Sequence, residues 1–292
     1  MNLKKTILLS VSLLLSSVLA NAQLLYKIEG NGVKPSYLFG THHLAPFSFF
    51  EQYSLENLLD SVQTLVCEVD LAKQRSQEAA IELQQYMMAP SDSTLSAILS
   101  PDQLSKVNDL LMKYLPNPAG GVAQFNIFKP AVIQTVISAM MISDMIEDYD
   151  PKYQIDGYLV ADAKEKGKDI VEFETPEYQG WLLYGSVPIS LQAEELIRFC
   201  DNPDATAKNA KILNDSYEKG DLDTLMALAQ EEPDSNFMEK LLDRRNQQWI
   251  KQLSQLLPEG SAFIAVGALH LPGEQGLIQG LRNLGYTVTP IR

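Results

Sequence analysis

Ser36-Tyr37-Leu38-Phe39-Gly40-Thr41-His42-His43 and Ala262-Phe263-Ile264-Ala265-Val266-Gly267-Ala268-Leu269-His270 decide how this chain reads. Each is a short apolar run that ends on glycine and reaches histidine three positions later. Runs of this length, closed by glycine, read as buried strands. The chain has three histidines, His42, His43 and His270, and all of them lie in these two stretches. Imidazole carries protons near neutral pH and is the commonest metal ligand. Matched Gly-x-x-His motifs near the two ends of a chain therefore ask for one shared site.

Both stretches continue alike. Residues 36–69 run strand, Gly-x-x-His-Leu, Pro46, amphipathic helix, strand at Thr64 to Val69. Residues 261–291 run strand, Gly-x-x-His-Leu, Pro272, helix, strand at Tyr286 to Pro290. This is a weak internal repeat of two βαβ-like units. Further strands are expected at Leu24 to Ile28 and Asp169 to Phe173. Ser100-Pro101-Asp102-Gln103 starts a helix with a serine cap, proline in the first turn and a glutamine that reaches back. That helix continues to Tyr114. Others are expected from Asp156 to Lys166, stopped by Gly167, and from Phe237 to Leu257, with Leu241, Leu242, Trp249, Leu253 and Leu256 on the apolar side. Ala131 to Met145 is too short and too polar to span a bilayer and reads as a buried core helix. The fold class is α/β, with a mixed sheet core, two βαβ-like units and helical insertions at about 71–150 and 176–257. Residues 23–292 read as a single domain.

Lys4 and Lys5, the apolar stretch Ile7 to Val18 and the small residues around Ala20-Asn21-Ala22 read as a signal peptide over residues 1–22. The expected location is periplasmic or secreted, with no stable membrane anchor. A formal charge of −14 repels nucleic acid and anionic membranes. Cys67 and Cys200 fall in unrelated elements and read as separate core residues.

Open α/β sheets bind ligands at the carboxyl ends of their strands. The residues that follow the expected strands are His42 and His43, Glu68 and Asp70, Glu174 and Glu177, and His270. Histidine with carboxylate suits a divalent metal such as manganese, cobalt, zinc or iron, which would activate water. His43, His270 and Glu68 are the expected metal ligands, with Glu68 or Glu174 completing the set or acting as general base. Adjacent side chains on extended chain point opposite ways, so one of the two histidines is expected to enter the site. His43 is preferred because its spacing matches that of His270, and His42 reads as peripheral. By the same alternation Glu172 and Glu174 share a face and Phe173 lies opposite. Arg244, Arg245 and Asn246 form either a solvated helix face or a cationic clamp for an oxyanion.

Taken together, Tyr37 to Leu44, Val66-Cys67-Glu68-Val69-Asp70, Asp156-Gly157-Tyr158-Leu159, Glu172-Phe173-Glu174-Thr175, Arg245-Asn246 with Trp249, and Val266 to Gly273 resemble the TraB/GumN/PrgY family, which includes the Tiki proteins. The resemblance implies an α/β fold related to the erythromycin-esterase-like and ChaN-like proteins. It also implies a metal-dependent hydrolase, since Tiki members are described as manganese or cobalt metalloproteases. Carried over residue by residue, it marks His43 and His270 as motif histidines, Glu68 as the strand-end acid and Arg245-Asn246 as the Arg-Asn pair. The implied substrate is a peptide or the amino-terminal segment of a protein. PrgY and TraB members, linked to shutting down peptide pheromones, keep a non-catalytic peptide-binding protein open. ChaN-like relatives keep an envelope haem- or iron-binding protein open.

Overall fold

A computed structural model describes residues 23–291, apart from 31, 33, 75, 116–119, 147–148, 151–152 and 231–234. The expected signal peptide lies outside the described residues. Among the described residues there are six strands: β1 (Leu25–Glu29), β2 (Ser36–Thr41), β3 (Thr64–Cys67), β4 (Asp169–Glu172), β5 (Ala262–Gly267) and β6 (Thr287–Pro290). They form one sheet in the order β4-β3-β5-β2-β1-β6. β5 is one of its inner strands. Ala262 through Val266 are all buried, and β5 runs parallel to both β2 and β3. A continuous apolar run is what an inner parallel strand needs, because both its faces are covered. β4 is parallel to β3, whereas β1 is antiparallel to β2 and β6. The sheet is therefore mixed, as expected, and β1 alone runs against the rest.

The two βαβ-like units interlock. In the first, β2 leads through the helix Leu55–Asp60 to β3, and in the second β5 leads through Leu277–Asn283 to β6. The strands of each unit are parallel but not neighbours. β5 fills the gap between β2 and β3, and β2 and β1 lie between β5 and β6. This interlock brings the two glycine-led motifs side by side, with Gly40 opposite Val266 and Thr41 opposite Gly267.

The helices make two apolar bodies. One covers the sheet and includes Leu159, Tyr217, Trp249, Leu253, Leu277 and Leu281. The other is built away from the sheet from Pro101–Tyr114, Pro130–Ser143 and Ile189–Asp201, which bury Val107, Leu111, Ile133, Ile137 and Leu196. It joins helices from both stretches read as insertions. The Ser100 cap forms with both reciprocal bonds to Gln103, a feature that contributes about 1 kcal/mol. The helix Ile155–Glu165 gives way to Gly167 at φ +64°, a left-handed position that favours glycine. Cys67 belongs to the first body and Cys200 packs against the second, and both are free thiols. Among the described residues no helix is long and apolar enough to cross a membrane.

The helix expected from Phe237 to Leu257 is not continuous. Ser235–Met238 leads into a π-turn at Glu239–Asp243, and an α-helix resumes over Arg244–Leu256. The Arg244 amide donates to the Glu239 carbonyl, five residues back. Such turns hold one extra residue and recur at functional sites.

Candidate functional site

Four parallel strands, β4, β3, β5 and β2, deliver their carboxyl ends to one edge of the sheet. What they deliver there is Glu174, Glu68, the Gly267–His270 turn and the His42-His43 pair. The ladder between β3 and β4 runs past the strands themselves. The Phe173 amide donates to the Cys67 carbonyl at 2.9 Å, and the Glu174 amide to the Glu68 carbonyl at 3.0 Å. Two glycines permit the close approach. A Cβ on Gly40 would lie 3.0 Å from Ala268 Cα, and one on Gly267 would lie 3.3 Å from Glu68 Oε1. A pocket of about 300 Å³ opens here, lined by Thr41, both adjacent histidines, Glu68, Arg245, His270 and a wall of leucines.

Arg245 is the hub. It is buried, whereas Arg244 beside it is exposed and pairs with Glu239. The Arg245 Nε donates to Glu174 Oε1 at 2.7 Å. Nη2 donates to Glu174 Oε2 at 2.9 Å and to Glu68 Oε2 at 2.5 Å. Nη1 donates to the Leu241 carbonyl and to His270 Nε2, each at 3.0 Å. A guanidinium has five N–H groups, and all five are engaged. Its face also stacks on Trp249, 4.6 Å from the ring centre. Two carboxylates held in this way justify a buried arginine, which an unpaired charge would not.

Asn246 settles the state of His270. Its Nδ2 donates to the Gln275 carbonyl at 3.0 Å and to the His270 carbonyl at 3.4 Å. Its Oδ1 must therefore accept, and it meets His270 Nδ1 at 2.7 Å. The ring proton sits on Nδ1, and Nε2 offers its lone pair to Arg245. Burial pushes the His270 imidazole down to about 3, so the ring is neutral. Burial also raises the Glu68 carboxyl, but the Arg245 charge and the Gly267 amide at 2.8 Å outweigh it and bring it down to about 2. Glu174 Oε1 takes a further bond from Trp249 Nε1 at 3.1 Å, and Phe173 stacks on the same indole at 4.9 Å.

His43 lies apart from this cluster. Its Nδ1 is 2.7 Å from Asp156 Oδ2, and Thr41 Oγ1 donates to Asp156 Oδ1 at 2.8 Å. Asp156 sits in the first turn of Ile155–Glu165, where a carboxylate is favoured by the helix dipole. The Asp156 charge holds the His43 imidazole up, at about 9. The His43 side chain is 59 % exposed, and its Nε2 has no partner among the described residues. His42 also lines the pocket, against the Tyr217 ring at 5.1 Å. Burial pushes His42 down to about 4. Tyr217 is itself buried and donates to the Gly40 carbonyl at 2.8 Å.

The structure corrects several sequence expectations. Both adjacent histidines line the pocket, because β2 ends at Thr41 and alternation stops there. Phe173 and Glu174 both meet Trp249, whereas Glu172 turns to Lys73 and the Asp70 amide. β4 ends at Glu172, so strand alternation does not extend to the next two residues. Arg245 has no N–H left for an oxyanion. As arranged, the donors expected to hold a metal do not fit one. Among the described residues no three His, Cys, Asp or Glu side chains are placed to ligate an ion. The lone pairs that Glu68, Glu174 and His270 would offer are turned to the guanidinium. Glu177 lies outside the pocket and accepts from Tyr86. Asp70, buried, receives Lys164 Nζ at 2.6 Å. Sequence reasoning assigned no role to Asp156, Thr41 or Tyr217. Asp156 stood in the quoted Asp-Gly-Tyr-Leu stretch, which was the available signal.

Fold and site together define an α/β protein with a buried arginine–carboxylate–histidine cluster and a separate His–Asp pair at the carboxyl edge of its sheet. The profile of the TraB/PrgY/gumN family matches residues 24–290, nearly the whole chain, and the chain belongs to that family. No curated protein and no solved structure matches it.

Proposed function

We propose that this chain hydrolyses an acyl bond, that of a peptide or of the terminal segment of a protein, in the pocket between the two Gly-x-x-His loops. The observation that carries this reading is the 2.7 Å pair of His43 Nδ1 with Asp156 Oδ2, itself fixed by Thr41. With the Nδ1–H donating its hydrogen bond to Asp156, Nε2 is the nitrogen available to a water molecule. His43 Nε2 takes a proton as the water oxygen adds to the carbonyl carbon. The ring then returns that proton to the leaving nitrogen as the C–N bond breaks. Asp156 orients the ring and stabilises its charged form without taking the proton. The Arg245 cluster is the rigid floor of the site. It keeps Glu68 ionised and His270 neutral, and it moves no proton. The leader-like residues 1–22 support a reaction outside the cytoplasm, in a periplasm or beyond.

The test is turnover of a peptide library against pH. The His43 base must be unprotonated, and Asp156 raises its pKa to about 9. The kcat/KM therefore climbs with pH through that value and levels off above it. Asp156→Asn moves the limb down toward 6.5 and lowers the plateau about 10²–10⁴-fold. Turnover that His43→Gln leaves intact would defeat the mechanism. Peptide binding without turnover would instead make this a peptide-binding protein.

A further inference from the structure

We infer that the pocket selects a branched or aromatic hydrocarbon group beside the reacting carbonyl, an inference that rests on the acyl-hydrolase reading above. Its wall consists of Leu213, Leu225, Leu241, Leu242 and Leu269. They come from separate elements: the helices Pro203–Glu218 and Leu222–Gln230, the π-turn, and the short turn Ala268–His270. Elements distant in sequence thus converge on one apolar surface, with no charged residue among those leucines.

The polar floor offers a charged substrate group little. All five N–H groups of Arg245 are engaged, and both ring nitrogens of His270 are taken. Against the leucine wall a charged side chain would lose its hydration without gaining a partner. The volume of about 300 Å³ is at the small end for ligand sites. It suits one large side chain and the adjoining amide.

The experiment compares peptides that differ only in the residue supplying the reacting carbonyl: Leu, Phe, Ala, Asp or Lys. It measures kcat/KM in the wild type. It also measures calorimetric binding of the matching N-acetyl amino-acid amides to His43→Gln. Leu and Phe are expected to exceed Ala at least about tenfold, since one methylene in an apolar pocket counts for that much. Asp and Lys are expected to fall below detection. Leu213→Asn and Leu269→Asn change partly exposed wall positions, and each is expected to lower the Leu:Ala ratio about tenfold, with unfolding curves recorded alongside. Equal values for Leu, Asp and Lys would overturn the inference, as would an unchanged ratio in both folded variants. The two readings fail separately. Apolar preference in binding with no turnover sinks the hydrolase and keeps the selection. Turnover blind to the side chain does the reverse.

Discussion

Replacing Arg245 with methionine removes a cation of similar length and leaves two carboxylates facing each other in the interior. Five hydrogen bonds go with it: three to Glu174 and Glu68, one to Leu241 and one to His270. The side chains of Glu174 and Glu68 are only 5 % and 15 % exposed, so water does not replace the lost donors. Breaking a buried pair from one side costs about 3–5 kcal/mol. For a chain of this size that lowers Tm by roughly 5–9 °C. Urea unfolding followed by tryptophan fluorescence reads the change, because Trp249 lies under the guanidinium. Arg245→Met combined with Glu68→Gln and Glu174→Gln is expected to recover most of the loss, because the uncompensated charge has gone with the cation. A single variant within about 1 kcal/mol of wild type would refute the reasoning. A triple variant no better than the single one would refute it too.

Acid should weaken the fold through its buried histidines. His270 titrates at about 3 in the folded chain and near 6.5 when unfolded. Below 6.5 only the unfolded chain takes the proton, so stability falls with pH by about 1.4 kcal/mol per unit for this residue. His42, held down to about 4, acts in the same direction. Urea midpoints between pH 7 and 4 check this, and a flat profile from 6.5 to 4.5 would contradict a neutral buried His270. Gly276→Ala would set a Cβ 2.0 Å from the Pro272 carbonyl oxygen. The Leu271–Gly276 loop must then move, taking the Gln275 carbonyl from Asn246. A destabilisation of about 1–3 kcal/mol is expected, and an unchanged Tm would count against that contact.

The strands were legible because burial on both faces leaves a plain record. Ala262 to Val266 has no polar residue to interrupt it, and Gly40 and Gly267 mark where the sheet gives way to the site. The edge on which Glu68, Glu174 and His270 gather followed from the same pattern. The partners of these residues did not. Arg245 and Asn246 stand in a run of charged and amide residues, Asp243 to Gln248, which has the composition of a solvated helix face. Only packing shows that Arg245 faces inward, 177 positions from the Glu68 it pairs with. The residue types at the strand ends pointed to a metal, and short-range patterns cannot show that a distant helix also brings a cation to the same edge. Asp156 was obscure for a similar reason. Its bond to His43 depends on where a helix starts in space, and no local periodicity encodes that.

The π-turn at Glu239–Asp243 makes chain length itself a constraint. Within it Leu241 and Leu242 line the pocket, and just downstream of it Arg245 and Asn246 face the cluster. Each residue of an α-helix turns the next by about 100°. Deleting one residue between Leu242 and Arg245 would give a more regular helix, yet it would rotate the leucines and the arginine against each other by that amount. Either the leucine wall or the arginine hub could keep its place, but not both. Substitutions can be graded along this segment, whereas a change in residue count cannot.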